Sequence, residues 1–201
     1  MPMKLAVCVS GRGSNLVALL EALAGSSQAD VVLVLSNRAD APALELARGR
    51  GIAAESLDDH RDATEWLRRL RTHGVELIVL AGYLKLVPPG VIAAYRDRII
   101  NVHPALLPDF GGPGMYGHHV HEAVIRSGAT VSGATVHLVD EAYDRGQILA
   151  QARVPVLPDD TPATLAARVL RAEHRLLPAV VLRAAEAGRP VVLPEPLELS
   201  P

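Results

Sequence analysis

Short apolar runs recur along the chain, separated by longer stretches in which apolar residues return at helical spacing. Residues 5–9, 31–35, 77–80 and 99–102 are apolar with little or no polar interruption. Near-continuous runs of this length mark strands buried on both faces, as in a parallel sheet covered by helices. The segments between them predict helices over 16–24, 43–50 and 63–72, with a shorter one at 89–95. This succession predicts an α/β fold: a doubly wound, mostly parallel central sheet with helices on both faces.

The pattern changes after His103. Residues 103–117 are rich in Gly and Pro and predict a loop. Residues 130–139 and 147–156 read as two further strands around an acidic turn at 141–146. Thr161 then supplies an N-cap and Pro162 a first helical residue for a long helix running toward Gly188, with Pro178 as a possible kink. No repeat, linker or low-complexity tract interrupts the chain, so a single domain over 1–201 is expected.

Composition narrows the function classes. The 201 residues are 49% hydrophobic, enough for a sizeable core, and the net charge is only −2. That balance gives no electrostatic case for nucleic acid or a membrane surface, and with 3% aromatic residues there is no platform for stacking bases. Cys8 is the one cysteine and lies in an apolar run, so it is expected to be a buried, inert thiol. The N-terminus runs straight into a strand without a signal-peptide pattern, which makes a cytoplasmic protein the expectation.

Candidate chemistry sits where strands end. Ser10-Gly11-Arg12-Gly13-Ser14-Asn15 follows the first strand and opens the first helix. Glycines let the backbone turn close to a ligand, and free N–H groups at a helix start favour an anion. No third glycine completes a dinucleotide fingerprint and no Gly-Lys-Ser/Thr completes a Walker loop, so the turn suits a phosphate monoester. An ordinary helix start capped by Ser14 or Asn15 is the alternative. In Asn101-Val102-His103-Pro104, strand alternation puts Asn101 and His103 on one side, and the prolines beyond end the strand. An amide donor beside an imidazole suits acyl transfer, in which negative charge grows on a carbonyl oxygen.

The turn Asp140-Glu141-Ala142-Tyr143-Asp144-Arg145-Gly146 offers three carboxylates that could face His103 and raise its pKa; spacing does not choose among them. His137, on the preceding strand, reads equally well as structural or catalytic. His118, His119 and His121 fall in the predicted loop, without carboxylate partners at helical ligand spacing, so no metal is expected. Glu173 interrupts the stripe of Leu165, Val169 and Leu176 on the long helix. It needs a partner there, either a ribose hydroxyl pair or an ion pair with Arg168 or Arg171.

Together these motifs resemble the phosphoribosylglycinamide formyltransferase family. The resemblance rests on Gly11-Arg12-Gly13-Ser14-Asn15-Leu16, Leu80-Ala81-Gly82-Tyr83-Leu84-Lys85, Asn101-Val102-His103-Pro104-Ala105-Leu106-Leu107-Pro108, Gly133-Ala134-Thr135-Val136-His137 and Asp144-Arg145-Gly146-Gln147-Ile148, in that order. It implies a formyltransferase fold and a folate-dependent step of purine synthesis: transfer of the formyl group of 10-formyltetrahydrofolate to the glycyl amine of 5-phosphoribosylglycinamide. It implies Asn101, His103 and Asp144 as the catalytic trio, and Gly13, Ser14 and Asn15 as the substrate phosphate site. Glu173 is implied as the ribose contact. Arg61, Leu84, Lys85, Leu86 and Val87, with Asn101, are implied as the folate site. The partners implied are small molecules only, with no metal, in a monomer or homodimer. Leu170, at a position that is polar in some members, and the glycine-rich stretch 109–117 depart from the pattern. Methionyl-tRNA formyltransferase and formyltetrahydrofolate hydrolase share the core. The former is expected to carry a further RNA-binding domain and the latter a regulatory one, and the Gly-Ser-Asn turn argues against the hydrolase.

Overall fold

A computed structural model describes residues 1–193 and the backbone of 197–198. Among the described residues, eight strands form one sheet in the order β3-β2-β1-β4-β5-β6-β7-β8. The strands are β1 (Met3–Val9), β2 (Ala29–Ser36), β3 (Ala53–Ser56), β4 (Leu77–Leu80), β5 (Ile99–His103), β6 (Val131–Leu138), β7 (Ile148–Pro155) and β8 (Leu197–Glu198). Pairing is parallel from β3 across to β5; β6 runs antiparallel to β5, and β7 antiparallel to β6. The helices are α1 (Ser14–Leu23), α2 (Pro42–Gly49), α3 (Ala63–Thr72), α4 (Pro89–Ala94), α5 (His118–Ser127) and α6 (Pro162–Ala187).

The near-continuous apolar runs are explained by burial on both sides. Leu5, Val7 and Val9 of β1 face a core shared with α1, α2, α5 and α6, while Ala6 and Cys8 face a second core built on Trp66 and Leu70 of α3 and Val91 and Ile92 of α4. Cys8 is fully buried, and burial drives its thiol pKa far up, so it is inert as the sequence suggested. Thr161 caps α6 in a reciprocal capping box with Thr164. Helix α6 continues through the buried Pro178 to Ala187.

Strands β3 and β8 and helix α5 differ from the sequence reading, which placed no strand after the long helix. Strand β3 was not anticipated, because Ala-Ala-Glu-Ser carries neither an apolar run nor clean alternation. Helix α5 begins at His118, so His118, His119 and His121 lie on a helix and not in the loop. Glycines and a run of histidines hid its start from propensity, whereas Val120 and Val124, one turn apart, are buried.

The chain winds from β1 to β3 in one direction and from β4 to β5 in the other. The crevice between the C-terminal ends of β1 and β4 is therefore a topological switch point, where open α/β sheets bind ligands.

Candidate active site

A cavity of about 590 Å³ opens at that crevice. Its walls include the turn after β1, the segment after β4, the end of β5, the loop leading into α5, and Glu173 on α6. Every residue expected to bind substrate or to catalyse lines it: Gly13, Ser14, Asn15, Asn101, His103, Asp144 and Glu173. Leu84, Lys85, Leu86 and Val87 line it as well. Arg61 does not. It is exposed in a neighbouring recess of about 430 Å³ that shares Lys85, Leu86, Val87 and Tyr143 with the main cavity.

The glycine turn is held by its neighbours. Gly13 has φ 78°, and a Cβ there would lie 2.6 Å from Ala43 Cβ, so glycine is required both for the backbone and for the approach of α2. Gly13, and not Ser14 or Asn15, is the N-cap of α1, and no side chain caps the helix. The N–H groups of the first turn therefore remain open to the cavity. Ser10, buried beneath the turn, accepts from Leu84 N–H at 2.9 Å and donates to Asn37 Oδ1 at 2.6 Å. It ties the turn to the segment after β4, a link that the sequence reading did not find.

Asn15 points back toward α6. Its Nδ2–H donates to Glu173 Oε2 at 2.6 Å, and its Oδ1 is buried without a partner. Glu173 is 8% exposed and bonds neither of the expected arginines; Arg168 pairs instead with Asp160 at the start of α6. Burial raises the Glu173 pKa from the usual 4.5 to about 7, against the opposing pull of Asn15.

At the end of β5 the antiparallel register sets Asn101 opposite His137 and His103 opposite Thr135. His137 Nδ1 lies 2.7 Å from the Leu138 carbonyl oxygen, which requires the proton on Nδ1. His137 Nε2 is then an acceptor, and Asn101 Nδ2–H donates to it at 3.1 Å. That bond orients the amide and leaves the second Nδ2–H for the cavity. His103 Nε2–H donates to the Phe110 carbonyl at 2.8 Å, so its Nδ1 faces Asp144 Oδ2 at 3.6 Å.

The structure thus places Asp144, from the three candidate carboxylates, beside His103. Asp144 sits at φ 54°, a left-handed conformation that Asp tolerates better than most residues. Its Oδ1 is 3.4 Å from His137 Nε2, and its Oδ2 accepts from Gly112 N–H at 3.0 Å. Burial pushes the Asp144 pKa up, but His137 and His103, each a favourable partner when its ring carries a proton toward the carboxylate, and the Gly112 N–H outweigh it, and the carboxyl stays below its ordinary range. His103 shows the reverse balance. At 3% exposure, burial lowers its pKa more than Asp144 and the Phe110 carbonyl raise it. Asp144 does raise the His103 pKa, as expected, but desolvation outweighs it and the net shift is downward.

The geometry of the acidic turn depends on Gly146. A Cβ there would run into the Leu138 carbonyl oxygen. Gly146→Ala is expected to destabilise the fold by about 1–3 kcal/mol through overpacking and to displace Asp144. Thermal unfolding checks this, and an unchanged Tm would count against it.

The family model described as "Formyl transferase" matches residues 3–181. A chloroplastic phosphoribosylglycinamide formyltransferase of Arabidopsis thaliana is 48% identical over 186 residues, 89% of this chain and 64% of that protein. The chain thus spans less than two thirds of the plant relative's length. The phosphoribosylglycinamide formyltransferase of Escherichia coli (strain K12) is 36% identical over 89% of this chain and 85% of its own. Among solved structures, glycinamide ribonucleotide transformylase 1 from Symbiobacterium toebii superposes with a TM-score of 0.86 at 36% identity, covering 96% of this chain and 95% of that one. With the family model matching most of the chain and relatives aligned over most of their own length, the chain belongs to the formyl transferase family, on its phosphoribosylglycinamide formyltransferase branch.

Proposed function

We propose that this protein transfers the formyl group of 10-formyltetrahydrofolate to the glycyl amine of 5-phosphoribosylglycinamide, a step of purine synthesis, by direct attack. The observation that carries this reading is the convergence, in one cavity, of an uncapped helix start with the Asn101–His103–Asp144 group. The phosphate sits on the open N–H groups of Gly13, Ser14 and Asn15, favoured by the helix dipole. Glu173 accepts from the ribose hydroxyls. The folate lies along Leu84, Lys85, Leu86 and Val87 beside Asn101, with its acidic end toward Arg61.

The amine attacks the formyl carbon, and the carbonyl oxygen becomes an oxyanion. Asn101 meets it with the Nδ2–H that His137 does not use. His103, its pKa lowered by burial, takes a proton from solvent as negative charge develops beside it, and returns it when the oxyanion collapses and the formyl C–N bond to folate breaks. Asp144, ionised and close to both imidazoles, stabilises that cation. The amine's proton leaves through a water held at Asp144 and reaches the departing folate nitrogen. The bond from His103 to Phe110 exchanges for one to substrate.

The test is an absorbance assay of folate release with purified protein, glycinamide ribonucleotide and 10-formyltetrahydrofolate. Release that requires both substrates supports the assignment. Tight binding of both without release would make this a binding protein and overturn it.

A further inference from the structure

The sequence placed His118 and His119 in a loop without carboxylate partners; in the structure they open α5, and Glu122 follows one turn later, at the spacing that brings helical side chains together. His118 Nε2 lies 3.9 Å from Glu122 Oε1, and His119 Nδ1 lies 3.8 Å from Glu122 Oε2. One ligand atom from each of the three residues falls within 4.8 Å of the others. The two imidazole rings stand 4.1 Å apart, and the Tyr116 ring meets His119 edge-on at 5.7 Å.

We propose that His118, His119 and Glu122 form a binding site for a divalent transition-metal ion of the zinc class, at the rim of the cavity. Two imidazoles and one carboxylate are a donor set for Zn²⁺, Co²⁺ or Ni²⁺ and not for Mg²⁺ or Ca²⁺, which take oxygen ligands. With metal–ligand bonds of about 2.0–2.2 Å, tetrahedral donors stand about 3.3 Å apart. The ligand atoms, which lie within 4.8 Å of one another, must therefore close by up to about 1.5 Å, which exposed side chains achieve by rotation. The positive end of the helix dipole opposes a cation in the first turn, and the Glu122 carboxylate offsets it. Three protein ligands leave the ion at least one open position. Tyr116 and His118 both line the cavity, so a bound ion stands at its rim.

This site uses none of the residues assigned to formyl transfer, and its test needs no activity. Chelator-treated protein is titrated with ZnCl₂ by calorimetry and with CoCl₂ by visible absorption, with excess MgCl₂ present. The expected result is one ion per chain, with cobalt d–d bands of a low-coordinate nitrogen–oxygen site. His118→Ala and Glu122→Gln should each weaken binding about tenfold or more, and the triple variant with His119→Ala should abolish it. His118 and His119 are exposed, so circular dichroism should show these variants folded. Absence of a site in the unaltered protein, or a site that survives in the folded triple variant, overturns the proposal.

Discussion

His103→Ala is expected to lower kcat about a thousandfold while changing the KM for either substrate only a few-fold, because the group acts as charge develops and not on the ground state. The structure makes the imidazole's position costly to replace. It is almost fully buried, anchored by Phe110 at one nitrogen, and set 3.6 Å from Asp144 at the other. Removing it forfeits a donor to the oxyanion, worth about 3–4 kcal/mol at a well-placed position, and leaves the Asp144 carboxylate without one of its two imidazole neighbours. Steady-state kinetics with both substrates varied provides the check. Near-normal turnover would sink the assignment of His103, and a loss confined to KM would make it a binding residue.

Glu173→Gln is expected to stabilise the folded protein and weaken the substrate. The folded-state pKa of Glu173 is raised, from the usual 4.5 to about 7. A raised pKa means that the native state holds the proton more tightly than the unfolded chain. The associated stability is present below about pH 4.5 and is lost as pH rises through about 7. The shift corresponds to about 3 kcal/mol of cost for the ionised, buried carboxylate. A neutral glutamine avoids that cost, so the variant should gain stability over the native protein mainly above pH 7, and little near pH 4.5. Denaturant unfolding at pH 5 and pH 8 measures the difference, and equal stabilities at pH 8 would refute it. The same substitution removes a charged acceptor for the ribose and should raise the KM for the nucleotide about tenfold or more.

The opposite directions of the Glu173 and Asp144 shifts follow from their partners. Glu173 has one neutral amide, from Asn15, against its desolvation. Asp144 has two imidazoles and a backbone N–H, and remains ionised despite burial. The cavity therefore keeps one carboxylate charged at neutral pH beside His103, and holds the other near its titration point beside Asn15.

Much of this was legible in the sequence. The near-continuous runs of β1, β2, β4 and β5 declared a sheet covered on both faces, because only strands buried on two sides can omit polar positions. Strand periodicity alone aligned Asn101 with His103, and the Ser-Gly-Arg-Gly-Ser-Asn turn marked a helix start that lines the cavity. The resemblance supplied the reaction. Tertiary structure decided what depends on residues distant in sequence. The β5–β6 register made His137 the partner that orients Asn101, and the acidic turn brought Asp144, not Asp140 or Glu141, against His103. The packing of α1 on α6 gave Glu173 an asparagine where the local pattern offered arginines. Burial reversed the expected shift of the His103 pKa. Periodicity reports which way a side chain faces, since backbone geometry repeats every two or 3.6 residues. Which partner it meets, and how much water it loses, is set only when segments far apart in the chain pack together.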